Sequence, residues 1–311
     1  MKLSLFDLHC DTPYEMFRQK QPLTENTLAV SLQKAVCFSR YTQVVAFWTP
    51  PQLTDEEGWQ RLLATYENLS LDPAVAQERV RFSGTYPSAD DTRPWLIPSL
   101  EDARILGGDL SRVDRLWSMG FRILTPLWAG KSCIGGAHDT EKGLTDFGKA
   151  ALGKALSLGM LLDISHASIP AAEEICALSK EYDKPILATH SNAYAICPAS
   201  RNLRDEQIQR VLSSGGLIGI NLFGNFIDRE KTATLEALLF HIDYFLSFGA
   251  EDRLCLGGDM DGCDLFPDIQ NLAELPRLAE AMLRHGYSET LIGKLFFENA
   301  DRFAKTHFSN L

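Results

Sequence analysis

Five short apolar runs in this chain end in a histidine or a carboxylate. Leu5-Phe6-Asp7-Leu8 leads into His9 and Asp11, Leu96 to Leu100 into Glu101, and Met160 to Ser165 into His166. Pro185 to Thr189 leads into His190, and Leu254 to Gly258 into Asp259. Three further runs share the β-branched or aromatic character: Val44 to Trp48, Phe121 to Thr125, and Gly216 to Ile220, which stops at Asn221. All eight have the length and composition of strands buried on both faces.

Amphipathic stretches alternate with these runs. Spacing of three to four residues predicts helices over Asp55 to Leu71, Asp102 to Met119, Thr145 to Leu158 and Ile169 to Tyr182. Others are predicted over Asp205 to Ser213, Thr234 to Phe248 and Leu272 to His285. Thr145 suits an N-cap, and Gly120 and Gly159 suit helix ends. Strand-helix alternation implies parallel strands with right-handed crossovers. Eight strands point to closure as a (β/α)8 TIM-type barrel, with residues 1–311 forming one catalytic domain. In such a barrel, groups at the C-terminal ends of strands share one rim. Ser83 to Pro94 and Trp128 to Gly143 read as loops, the second on the catalytic face.

Composition narrows the partners. A net charge of -11 argues against nucleic acid or an anionic membrane. No apolar run reaches the ~18 residues of a membrane span, and no secretory signal is visible at the N-terminus. The seven cysteines are an odd count without a CxxC, which suits free thiols in a reducing cytoplasm.

The strand-end residues make a candidate metal site. His9 and Asp11 are two apart, so on a strand both reach the same side. A lone histidine is usually structural, but His166 and His190 each follow an apolar run and precede a small polar residue. Two ions account for the set better than one, since a single zinc needs about three or four protein ligands. His9 and Asp11 would hold one ion, His166 and His190 the other, and Glu101 would bridge them. Imidazole with carboxylate favours zinc, with manganese, cobalt or iron as alternatives. Water between two ions becomes hydroxide near neutral pH. Asp259, in LGGDMDG, is placed to take that proton and pass it to a leaving amine. Asp261 fits a turn or a supporting position better.

These residues resemble the renal (membrane) dipeptidase family of zinc peptidases, within the amidohydrolase superfamily. The motifs DLHCDTP, GLTDFGKAAL, LGMLLDISHAS, THSNAYAICPASRN and LGGDMDG carry the resemblance in that order, over nearly the whole chain. It implies two zinc ions on His9, Asp11, Glu101, His166 and His190, with Asp259 as proton shuttle. Arg201, in PASRN, would grip the carboxylate of a short peptide bidentately. Asn221, at the end of the seventh run, is a candidate peptide contact. One departure stands out: the animal enzymes carry a histidine that polarises the scissile carbonyl, in a pattern like LTLTH. This chain reads LTPLW, which puts Trp128 there, with one N–H donor and no charge. His138, in the next loop, is a candidate replacement. The resemblance implies hydrolysis of dipeptides, including ones with a D-residue at the C-terminal position, and relatives suggest a homodimer. The alternatives are hydrolysis of another small amide or N-acyl amino acid, and a barrel that binds metal or peptide without chemistry.

Overall fold

The computed structural model describes residues 2–309 apart from 89 and 231. Its strands are β1 (Leu5–Cys10), β2 (Tyr41–Phe47), β3 (Arg81–Phe82), β4 (Trp95–Glu101) and β5 (Ile123–Thr125). They continue with β6 (Leu161–Asp163), β7 (Ile186–Leu187), β8 (Ile218–Ile220) and β9 (Leu254–Leu256). All pairings between these strands are parallel, in the order β7-β6-β5-β4-β2-β1-β9-β8, with β3 a two-residue addition beside β4. A parallel bridge from Ala188 to Ile218 joins the two ends and closes eight strands into a barrel. Of these eight, β1 and β4 span their apolar runs in full, β2 begins earlier and stops short of Trp48, and the other five lie within theirs; β7 is the shortest at two residues.

Closure depends on glycine. A Cβ at Gly219 would lie 1.9 Å from the Thr189 carbonyl oxygen, and one at Gly257 would lie 1.7 Å from the same atom. The Cα atoms of these glycines are themselves close neighbours across the β8–β9 seam. Only glycine lets three backbones meet there.

Helices cover the outside. Asp55–Ser70 starts on a Thr54–Glu57 capping box, and Asp146–Leu158 runs from Thr145 as N-cap to Gly159 at φ 104°. The stretch predicted as one helix over Asp102 to Met119 divides into a 3-10 turn, Ala103–Leu106, and a helix, Ser111–Ser118. Gly107 and Gly108 take φ of 56° and 82° between them, which no α-helix accommodates. Likewise Pro276 begins a helix of its own, Pro276–His285, after a 3-10 turn at Leu272–Glu274.

Inside the barrel lie Phe6, Leu8, Val44, Trp95, Ile97, Ile123, Leu161, Leu187 and Leu217. Phe297, Phe303 and Phe308, from the C-terminal helical run, pack against them and seal the N-terminal end of the barrel. The C-terminal end is left open for the site. Among the described residues no helix is long and apolar enough to cross a membrane.

Candidate metal centre

β1 presents His9 and Asp11 to the barrel mouth by breaking its own alternation. Phe6 and Leu8 face the barrel interior, whereas Leu5 and Cys10 belong to the outer core. Parity therefore switches within the strand. The register with β2 slips by one residue between Asp7 and Cys10, the mark of a β-bulge. The bulge turns His9 and Asp11 to the side that Phe6 and Leu8 occupy lower down. Asp7, inside the bulge, accepts from the His9 N–H at 2.9 Å and from the Gly258 N–H at 3.0 Å. It thereby ties β1 to the loop that carries Asp259.

Six predicted residues meet in this mouth. His9 Nε2 stands 3.3 Å from Asp11 Oδ2, 3.6 Å from Glu101 Oε2 and 3.8 Å from Asp259 Oδ1. The other Glu101 oxygen, Oε1, lies 2.9 Å from His166 Nε2 and 3.5 Å from His190 Nε2. Glu101 thus divides its two oxygens between His9 on one side and His166 with His190 on the other. The His9 and His190 rings face each other with centroids 3.8 Å apart. Asp259 reaches the cluster from a left-handed turn, φ 56°, a conformation aspartate tolerates better than most residues. At Gly262, a Cβ would fall 2.0 Å from Asp11 Oδ2, so glycine leaves the carboxylates their space.

Proton positions on the histidines follow from their partners. His166 Nδ1 is 2.9 Å from the Trp128 carbonyl, which only accepts, so Nδ1 carries the hydrogen. Asp163 accepts from the hydroxyls of Thr125 and Thr189 and from the N–H groups of Ser165 and Thr189. Because the Thr189 hydroxyl donates to Asp163, its oxygen must accept from His190 Nδ1 at 2.8 Å. Both rings then turn a bare Nε2 lone pair inward, and those two nitrogens are only 2.9 Å apart. Two acceptors at that distance repel unless a cation lies between or beside them.

The remaining electrostatics agree. Burial, with Glu101 beside it, pushes the Asp11 carboxyl up to about 8, and burial raises Asp259 as well. Burial, then the neighbouring His9, holds His190 well below the usual histidine range. His9 Nε2 and Asp11 Oδ1 are buried without a hydrogen-bond partner. Burial lowers His166 as well, whereas against its burial Glu101 and Asp11 raise His9 well above the usual histidine range, so the carboxylates there already draw positive charge. Neutral His166 and His190, crowded carboxylates and unpartnered donor atoms are what a divalent cation completes. Among the described residues two groups have metal-ligand spacing, His9–Glu101–His190 and His9–Asp11–Asp259. The donor set therefore fits metal ions, and nitrogen with carboxylate oxygen favours zinc.

Around the cluster opens a cleft of about 1070 Å³. Arg201 lines it, only 5% exposed, and neither Nη1 nor Nη2 has a hydrogen-bond partner. Burial lowers its pKa to about 10, so it stays charged at neutral pH. Trp128 also lines the cleft, and its carbonyl orients His166 besides. His138 bonds Ser200 Oγ at 2.9 Å, and burial together with the Arg201 charge lowers it to about 4. Asn221 is placed elsewhere than on the cleft wall. It is fully buried, and its amide donates to the His190 carbonyl and to Asp259 Oδ2 at 3.0 Å. Asp261 accepts from the Thr12 hydroxyl and the Ala29 N–H, bracing the segment after β1. Asp7 and Asp163 escaped sequence reasoning. The available signal was an aspartate inside an otherwise apolar run.

A parallel eight-stranded barrel with clustered histidines and carboxylates at its C-terminal mouth defines a metal-dependent hydrolase. The chain belongs to the membrane dipeptidase family, peptidase family M19, whose model matches residues 1–308. A metallopeptidase of Rhodobacter sphaeroides, solved with a phosphinate mimic of the dipeptide L-Ala-D-Ala, is 26% identical with a TM-score of 0.90, covering 99% of this chain and 100% of the other. Dipeptidase AC, also assigned to M19, is 27% identical with a TM-score of 0.89 and 99% of each chain covered. An uncharacterised Klebsiella pneumoniae protein encoded in the pqqA 5′ region is 31% identical over 222 residues, 68% of this chain and 81% of that protein.

Proposed function

We propose that the protein is a dipeptidase that hydrolyses short peptides with a free C-terminal carboxylate. Two divalent cations, zinc by donor chemistry, would be held by His9, Asp11, Glu101, His166 and His190. When bound, such ions polarise the scissile carbonyl and make hydroxide available from water at neutral pH. The chain's own groups do the rest. Arg201 binds the substrate carboxylate through its two free guanidinium nitrogens and sets the peptide's register. Asp259 Oδ1 faces the reaction side, because Asn221 holds Oδ2. It accepts the proton of the attacking water and returns it to the leaving amine. His138, neutral at working pH, adds no competing cation beside Arg201. Seven unpaired cysteines support residence in the reducing cytoplasm.

The observation that carries this reading is the unpartnered, buried Arg201 guanidinium in the same cleft as the ligand cluster. Elemental analysis of protein purified without added metal should give about two equivalents per chain; none would remove the catalytic reading. Arg201→Met should raise KM about 10- to 100-fold for dipeptides, the range of a lost charged hydrogen bond. Dipeptide amides and N-acetylated amino acids serve as comparison substrates. An equal change for free acids and amides would dissociate Arg201 from the carboxylate.

A further inference from the structure

The cleft has a second built wall whose side chains the hydrolytic groups do not use, although the Trp128 backbone carbonyl orients His166. Trp48 follows β2, Trp128 follows β5, and Tyr14 lies on the helix Thr12–Gln19 after β1. The three rings form one continuous surface. Trp48 and Trp128 have centroids 5.1 Å apart, and Tyr14 meets Trp48 edge-on at 5.2 Å. All three line the cleft.

Barrel order places this wall opposite Arg201. In the closed ring β1-β2-β4-β5-β6-β7-β8-β9, the loop after β7 carries Arg201 and the loop after β2 carries Trp48, four positions apart among eight. The ligand cluster lies between them. A dipeptide with its carboxylate on Arg201 and its amide over the cluster therefore projects its N-terminal residue toward the aromatic surface.

The wall is rigid and uncharged. Arg104, anchored on Asp102 at 3.0 Å, donates to the carbonyls of Thr49, Pro50 and Leu53 and pins the loop just after Trp48. The nearest charges on the β1 helix, Glu15 and Arg18, are paired with each other at 2.9 Å. A surface of this kind rewards a large apolar side chain, and its buried, unpartnered Trp48 Nε1 offers a hydrogen but no charge.

Resting on the dipeptidase reading, we infer that the Tyr14–Trp48–Trp128 wall is the subsite for the N-terminal side chain, and that the substrates are dipeptides beginning with a bulky apolar residue. Trp48 is its specificity-determining residue.

The test is a panel of dipeptides with a fixed C-terminal alanine, in both stereochemical forms. The N-terminal residue is varied over Gly, Ala, Leu, Phe, Lys and Glu, and the holoenzyme is used. Leu and Phe should exceed Gly by about 100-fold in kcat/KM, since each methylene in an apolar pocket discriminates by roughly tenfold or more. In Trp48→Ala the Leu-to-Gly ratio should fall below about threefold at unchanged metal content. Should that variant not fold, Tyr14→Ala should shrink the ratio and Trp48→Phe should retain most of it. A flat wild-type panel, a preference for Lys or Glu, or a ratio that survives Trp48→Ala would overturn the inference while leaving the dipeptidase reading intact. Turnover of no dipeptide at all would instead remove the reading beneath it.

Discussion

At the scale of residues, the site is governed by groups that never touch a substrate. Asp163 is fully buried and accepts from Thr125, Ser165 and Thr189. Through the Thr189 hydroxyl it commits His190 Nδ1 as a donor and keeps Nε2 bare. In Asp163→Asn, an amide N–H2 facing Thr189 would force that hydroxyl to accept and to turn its hydrogen toward His190. The ring would then protonate on Nε2, the nitrogen that the proposed metal needs bare. Metal affinity should fall about 10- to 100-fold, read by competition with a chelator, and the nitrogen chemical shifts of His190 should report the other tautomer. Unchanged affinity would exclude the relay. The histidines and carboxylates that gather at the mouth were legible because they end apolar runs or, like Asp11, follow one closely. Asp163 was not, since an aspartate inside Leu161-Leu162-Asp163-Ile164 resembles any polar interruption until its neighbours in space are known.

At the scale of elements, the closing seam is the most intolerant place in the barrel. Gly219→Ala would force a methyl to within 1.9 Å of the Thr189 carbonyl oxygen, and a backbone atom cannot swing aside as a side chain can. The substitution should cost more than about 4 kcal/mol, or prevent folding, and it would also displace Thr189 and with it His190. Gly224→Ala is the control, because nothing lies nearer than 3.7 Å to its Cβ position. Urea unfolding of both variants checks the contrast. Strands were readable for the reason that makes the seam tight: both faces are buried, so each strand is a continuous apolar run. Features that break a period were not readable. The β1 bulge reverses parity between Leu8 and Cys10 without any sequence cue. The C-terminal helical run, Glu289–Gly293 and Asn299–His307, is interrupted by a π turn at Lys294–Glu298, and no 3.6-residue pattern survives across it.

At the scale of the whole molecule, the catalytic rim depends on loops held to the outer helices, and His241 is one such fastening. It sits on Leu235–Leu246, is 0% exposed, accepts from the Ala193 N–H at Nδ1 and donates from Nε2 to the Ile227 carbonyl. It thus joins the segment after His190 to the turn that carries Phe226, beside Arg201. Burial lowers its pKa to about 4, from an ordinary value near 6.5. Above pH 6.5 both folded and unfolded chains hold it neutral, and its contribution is complete. Between 6.5 and 4 only the unfolded chain takes up the proton, so folding stability declines; below 4 both are protonated and the decline stops. That interval corresponds to about 3 kcal/mol at most. His241→Gln keeps one donor and one acceptor but cannot titrate. Across that range the wild type should therefore lose up to about 3 kcal/mol more than the variant, measured by urea unfolding at fixed metal concentration. The subtraction removes the titration of the histidines and carboxylates at the mouth, which both proteins share. Parallel pH dependences in the two proteins would mean that acid loosens the barrel elsewhere, with the ligand cluster at the mouth the next group to test.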